Sequence, residues 1–174
     1  MAGIFDMYGP CNFSDPFWTR KIPVLISRLP SWLSDDFLNR VFDQDPVPIT
    51  GGVSLEGQSD GPDFADPRQA YALTQIANGD VLGAVFPSRD WAQVDPAENI
   101  TKEFPPTFIV HGDDDFMVPI YLSKSLYLKL SQQGVKCGMR EIPDEGHTFA
   151  AKMQKGSRTW NLQSEGFDFL ESLL

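Results

Sequence analysis

From Thr107 onward, short apolar runs alternate with amphipathic stretches and clear stops. Thr107-Phe108-Ile109-Val110 is a run of the kind found in a parallel strand buried on both faces, and it ends at His111-Gly112. Pro119 opens a helix to about Gln133, with Leu122, Leu126 and Leu130 on one side and Gly134 placed as its stop. Val135 to Ile142 reads as a second strand, and Pro143 to His147 as a loop. Arg158 to Leu174 reads as a closing helix whose Trp160, Phe167, Leu170 and Leu174 share a face. Strand, helix, strand, helix in this order predicts a right-handed parallel unit of the α/β class, with helices covering the sheet.

The text before Thr107 is less regular. Ala2 to Pro10 reads as an apolar strand running into a turn, and a core strand that early suggests a missing beginning. Ser34 to Phe42 predicts a helix, capped by Ser34 or Asp35, with Phe37, Leu38, Val41 and Phe42 as its apolar stripe. Pro67 to Ala77 predicts another, with Asp66 at its N-cap and Asn78-Gly79 at its exit. Asp45 to Asp63 holds glycines, prolines and acids without periodicity, which is loop composition.

Charge narrows the partners. A formal net charge of −10 over 174 residues argues against binding nucleic acid or anionic lipid, both of which need clustered Lys and Arg. No apolar run is long enough to span a bilayer, and Met1 to Trp18 lacks the form of an export signal. Cys11 and Cys137 stand outside any disulfide framework or metal-ligand spacing. Together these features predict a soluble, cytoplasmic protein.

The residues from Pro105 to Pro119 follow the pattern strand-His-Gly-x-x-Asp-x-x-Val-Pro, and some thirty residues on comes Gly146-His147-Thr148-Phe149. These segments resemble the acid loop and the histidine loop of α/β-hydrolases. The resemblance implies a catalytic acid at Asp115 and a catalytic base at His147, in the family's order of nucleophile, acid, histidine. It also implies a partial α/β-hydrolase fold, about three parallel strands with flanking helices plus a helical cap insertion. Residues 1–10 would be a strand, 11–104 the cap and a connecting helix, and 105–174 the C-terminal strand-helix-strand-helix unit. Within the superfamily, the chain is most similar to the esterase/lipase and dipeptidyl-hydrolase-like branches of fungi, some of which serve specialised-metabolite pathways. The implied reaction is cleavage of a carboxylic ester of a small or apolar substrate, with an amide or lactone as second choices.

The family's nucleophile normally sits in a Gly-x-Ser-x-Gly turn, and the sequence contains none. The nearest imitation, Gly52-Val53-Ser54-Leu55-Glu56, follows Pro46 and Pro48 where a central strand should run, so Ser54 is expected in a substrate-side loop. The Gly-rich loop that supplies an oxyanion donor is also missing. These 174 residues should therefore be catalytically incomplete, and with an open apolar strand edge near Ile4 the isolated chain should be poorly folded, a homodimer, or completed by a complementing chain. The competing expectation is a non-catalytic binding or partner module derived from a hydrolase.

Other residues have blander roles. Asp113, Asp114 and Asp115 are consecutive acids, but their spacing is not that of a calcium loop, and neither metal nor cofactor is expected. His111 is expected to shape the strand end. Phe13, Phe17, Trp18, Trp32, Phe37 and Phe42 should mainly pack the cap, with a smaller share lining a substrate pocket.

Overall fold

The computed structural model describes residues 2–46 and 63–174. Its strands are β1 (Ile4–Met7), β2 (Thr107–Gly112) and β3 (Cys137–Ile142). Its helices are α1 (Pro23–Ile26), α2 (Asp35–Leu38), α3 (Pro67–Asn78), α4 (Val81–Val85), α5 (Ile120–Gln132) and α6 (Arg158–Glu171). The chain divides into two compact units, one of residues 1–12 and 92–174, the other of residues 13–91.

The first unit holds a parallel sheet of order β1-β2-β3. Ile4 pairs with Thr107 and Met7 with Val110, while Thr107 pairs with Cys137 and Gly112 with Ile142. Central β2 explains its own composition, since it is bonded on both edges and packed on both faces. Side chains alternate along a strand, so Phe108 and Val110 face one layer, and Ile109 and His111 the other. Val110 joins Tyr8, Ile142 and Phe149 in a core cluster to which Leu162 of α6 adds. On the opposite face α5 packs against β2 and β3. It buries Leu122, Leu126 and Leu130, the stripe expected from the sequence, together with Ser123.

The last helix differs from expectation. Trp160, Phe167 and Leu174 are exposed, at 38%, 55% and 102% of their full area, and the residues α6 buries are Gln163 and Gly166. The cause is Phe5 of β1, whose ring lies against Gly166 where any side chain would collide. A helix crossing that close must present a glycine there, which rotates the apolar stripe away from the positions its large residues suggest.

In the second unit, α3 follows its punctuation. The Asp66 carboxylate accepts from the Arg68 N–H at 3.1 Å, Pro67 opens the helix, and Gly79 closes it in the left-handed region at φ 76°. Ala70, Leu73 and Ala77 form its buried side. The helix expected over Ser34–Phe42 is one turn of α-helix capped by Ser34, continued as a 3-10 helix over Asn39–Asp43. Phe13, Phe17 and Trp18 are buried and pack edge to face, whereas Trp32 and Phe42 are exposed. Most of the stretch from Asp45 to Asp63 lies outside the described residues.

Candidate active site

The C-terminal ends of β2 and β3 carry the two loops of interest. Asp113 donates its N–H to the Ile142 carbonyl at 3.1 Å, and Asp114 donates to the Glu145 carbonyl at 3.1 Å. In return Asp144 donates its N–H to the Asp113 carboxylate at 2.8 Å. Asp144 adopts φ 63°, a conformation that Asp tolerates better than most residues. The Glu145 side chain is held in turn by the hydroxyl of Thr159, at 2.7 Å, in the first turn of α6. Asp113 is thereby spent on joining the loops.

Asp115 sits at the centre with its side chain out of contact with solvent. One carboxylate oxygen, Oδ1, accepts the N–H groups of Met117 and Val118, each at 2.9 Å. The other, Oδ2, lies 2.7 Å from Nδ1 of His147 and 3.1 Å from Nε2 of His111. Burial by itself would push this carboxyl up. The hydrogen bonds from His111 and His147, the charge of His147 and the Val118 N–H outweigh it, and hold Asp115 well below the usual carboxylate range.

His147 therefore points Nδ1 at a carboxylate, which fixes the proton on that nitrogen in the neutral ring. Its Nε2 has no hydrogen-bond partner among the described residues, and the side chain is 20% exposed. The ring is flanked by Tyr8, with centroids 4.9 Å apart, and Tyr8 packs edge to face on Phe149 at 5.1 Å. Tyr8 has φ 46° and Thr148 φ 60°. Left-handed backbone at two non-glycine residues costs free energy and is found where structure around it dictates the conformation.

The sequence-predicted acid and base are thus brought into direct contact. His111 and Ser123 form a second, buried layer behind them, described below, and Tyr8 a wall beside them. Sequence reasoning gave His111 only a loop-shaping part and passed over Ser123 and Tyr8. A buried hydroxyl on an apolar helix face was the available signal for Ser123, but nothing in the sequence marks the backbone of Tyr8. Ser54 lies outside the described residues. Cys11 is buried, with Sγ 3.5 Å from the Leu122 carbonyl, and Cys11 and Cys137 are both thiols outside any disulfide. Within residues 13–91 a half-open cavity of about 360 Å³ is lined by Trp18, Tyr71, Leu82, Arg89 and Trp91 among others. Among the described residues, no helix is long and apolar enough to cross a membrane.

Chemically, an imidazole whose Nδ1 donates to a buried carboxylate can take up a proton at its other nitrogen, and the carboxylate stabilises the resulting cation. A non-reducing polyketide synthase (trt4) of Aspergillus terreus is 24% identical over 179 residues, covering 84% of this chain and 7% of that protein. A probable dipeptidyl-peptidase 5 of the same species is 27% identical over 112 residues, covering 62% of this chain and 15% of that protein. The chain spans between 2% and 8% of the lengths of the polyketide synthases it matches. Among solved structures, a protein with unknown function from Staphylococcus aureus subsp. aureus Mu50 superposes with a TM-score of 0.68 at 17% identity, over 98% of this chain and 56% of that one. The shared fold is a partial α/β-hydrolase fold, three parallel strands with flanking helices. Residues 83–174, the greater part of the sequence, match the model of one family within that superfamily, and the chain belongs to it: the prolyl oligopeptidase family.

Proposed function

We propose that Asp115 and His147 are the acid and base of a serine-type hydrolase whose nucleophile comes from outside these 174 residues. The observation that carries it is the 2.7 Å hydrogen bond from His147 Nδ1 to Asp115, with no partner for Nε2 among the described residues. His147 Nε2 takes the proton of an attacking hydroxyl as its oxygen adds to the substrate carbonyl, and Asp115 stabilises the imidazolium that forms. When the tetrahedral intermediate collapses, the same nitrogen hands the proton to the departing alkoxide. Nothing in this cycle requires Asp115 to accept the proton, which agrees with a carboxyl held below its usual range.

The bond cleaved in this proposal is a carboxylic ester of a small or apolar substrate, with amide and lactone as second choices. Similarity to polyketide synthases supports a specialised-metabolite setting. Residues 13–91, inserted between β1 and β2, occupy the place in the chain where such hydrolases carry a cap, and we assign substrate selection to them. Their cavity is within the usual size range of small-molecule sites, and its mixed lining combines the rings of Trp18, Tyr71 and Trp91 with the charged Asp80 and Arg89.

A fluorophosphonate probe, which labels only an activated serine, tests this assignment. The chain is assembled with a segment bearing a Gly-x-Ser-x-Gly turn and exposed to the probe. Labelling should occur on that serine and be lost in His147→Ala. Equal labelling of the two forms would refute the role of His147, and no labelling of either would favour a binding module.

A further inference from the structure

We infer that His111 is a positioning residue, which clamps the Asp115 carboxylate in the orientation His147 needs. The inference rests on the acid–base assignment above and adds a third ionisable side chain to it.

His111 is fully buried at the end of β2 and faces α5. Its Nε2 lies 2.7 Å from the Val118 carbonyl and 3.1 Å from Asp115 Oδ2. Both neighbours are acceptors, so this nitrogen must carry a proton; a lone pair there would face two others. Its Nδ1 lies 2.7 Å from the Ser123 hydroxyl, which can donate to it. One neutral tautomer, with the Nε2 proton shared between the Val118 carbonyl and Asp115, suits the whole set. The ring is gripped by α5 on one edge and by the acid loop on the other.

A buried histidine that joins a strand to a helix would ordinarily be a satisfied core residue and no more. Here it shares an oxygen with the base. Without His111, Asp115 keeps two N–H donors on Oδ1 and only the His147 ring on Oδ2. The terminal torsion of Asp is soft, so Oδ2 could then swing out of line with His147 Nδ1. With His111 in place, Oδ2 also takes a share of the Nε2–H that lies 2.7 Å from the Val118 carbonyl, and the plane of the carboxylate is held from a second side. Because the clamp is a neutral donor, it leaves the negative charge of Asp115 available to an imidazolium at His147. A cationic clamp would compete for that charge.

The chain contains two histidines, so the imidazole 15N and 1H spectrum of the full 174-residue protein resolves each. In the unmodified chain, His111 should carry its proton on Nε2, and His147 should show a low-field Nδ1–H. His111→Leu, which removes the donor at similar volume, should lose the low-field His147 signal. His111→Gln, whose amide can donate from the place of Nε2, should restore it. In the assembled hydrolase, His111→Leu should lower kcat by about a hundredfold with little change in KM, since a misplaced catalytic group costs on that order. A proton on Nδ1 of His111 in the unmodified chain would overturn the inference, as would an unaltered His147 signal in His111→Leu. Asp115→Asn separates the two levels. Loss of the His147 signal there, with its survival in His111→Leu, sinks only the clamp; survival in both sinks the acid–base pair itself.

Discussion

Gly112 at the end of β2 lies directly against the backbone carbonyl of Glu145, leaving no space for even a methyl group. That approach draws the acid loop and the histidine loop together, because Glu145 stands two residues before His147 and Gly112 three before Asp115. Gly112→Ala puts a Cβ into an oxygen that cannot swing aside, since the neighbouring Asp114 N–H and Thr159 hydroxyl anchor Glu145. The variant should lose about 3 kcal/mol of stability in urea unfolding, the upper part of the usual overpacking range. An unchanged midpoint would mean that the two loops can part without cost.

Acid sensitivity follows from two carboxyls with opposite shifts. The folded Asp115 lies below its usual value, near 3.9 in an unfolded chain, so its contribution is present above about pH 4 and is lost as pH falls through the folded value. Asp6 is raised, by burial first and against the Gly9 N–H bond, so its protonated form is the one the fold prefers. That preference is satisfied below about pH 4 and lost as pH rises through the folded value. Asp6→Asn keeps an oxygen for the Gly9 N–H and should therefore stabilise the protein at neutral pH, with the gain vanishing in acid. Asp115→Asn should destabilise at neutral pH, and the difference from the unmodified chain should shrink below about pH 4. Urea midpoints between pH 7 and pH 2.5 measure both, and parallel curves for all three proteins would contradict the assignment.

Burial pushes the Cys11 thiol up to about 12, with the Asp6 and Asp95 charges adding to the effect. A thiol so protonated and enclosed is a poor nucleophile. Ellman's reagent at pH 8 should therefore titrate the partly exposed Cys137 in the native protein and reach Cys11 only on unfolding. Equal rates for the two thiols in the native state would show that the Cys11 pocket opens.

Much of this was legible in the sequence where periodicity and punctuation agree. Strand β2, helix α5 and strand β3 fall within two residues of their expected ends, because apolar runs bounded by Pro119 and Gly134 leave few alternatives. The two loops were legible for the same reason, as each directly follows a buried strand. Helix α6 was found, but of its expected face Leu170 alone is half-buried while Trp160, Phe167 and Leu174 are exposed, since the close seat at Gly166 is set by Phe5, far away in the chain. The layer behind Asp115 was missed because its members are tied by tertiary contacts; His111 and Ser123 stand twelve residues apart on different elements. The left-handed backbone of Tyr8 and Thr148 has no sequence signature, because neither residue type favours it.

The most direct measurement of the acid–base assignment is the turnover of p-nitrophenyl butyrate by the chain assembled with its nucleophile-bearing segment. His147→Ala should lower kcat by about 10³-fold or more, with circular dichroism and melting unchanged. The 174 residues alone should not exceed the background rate. Full turnover by the assembled His147→Ala protein would contradict the assignment, as would rapid hydrolysis by the unaccompanied chain that disappears in Ser54→Ala.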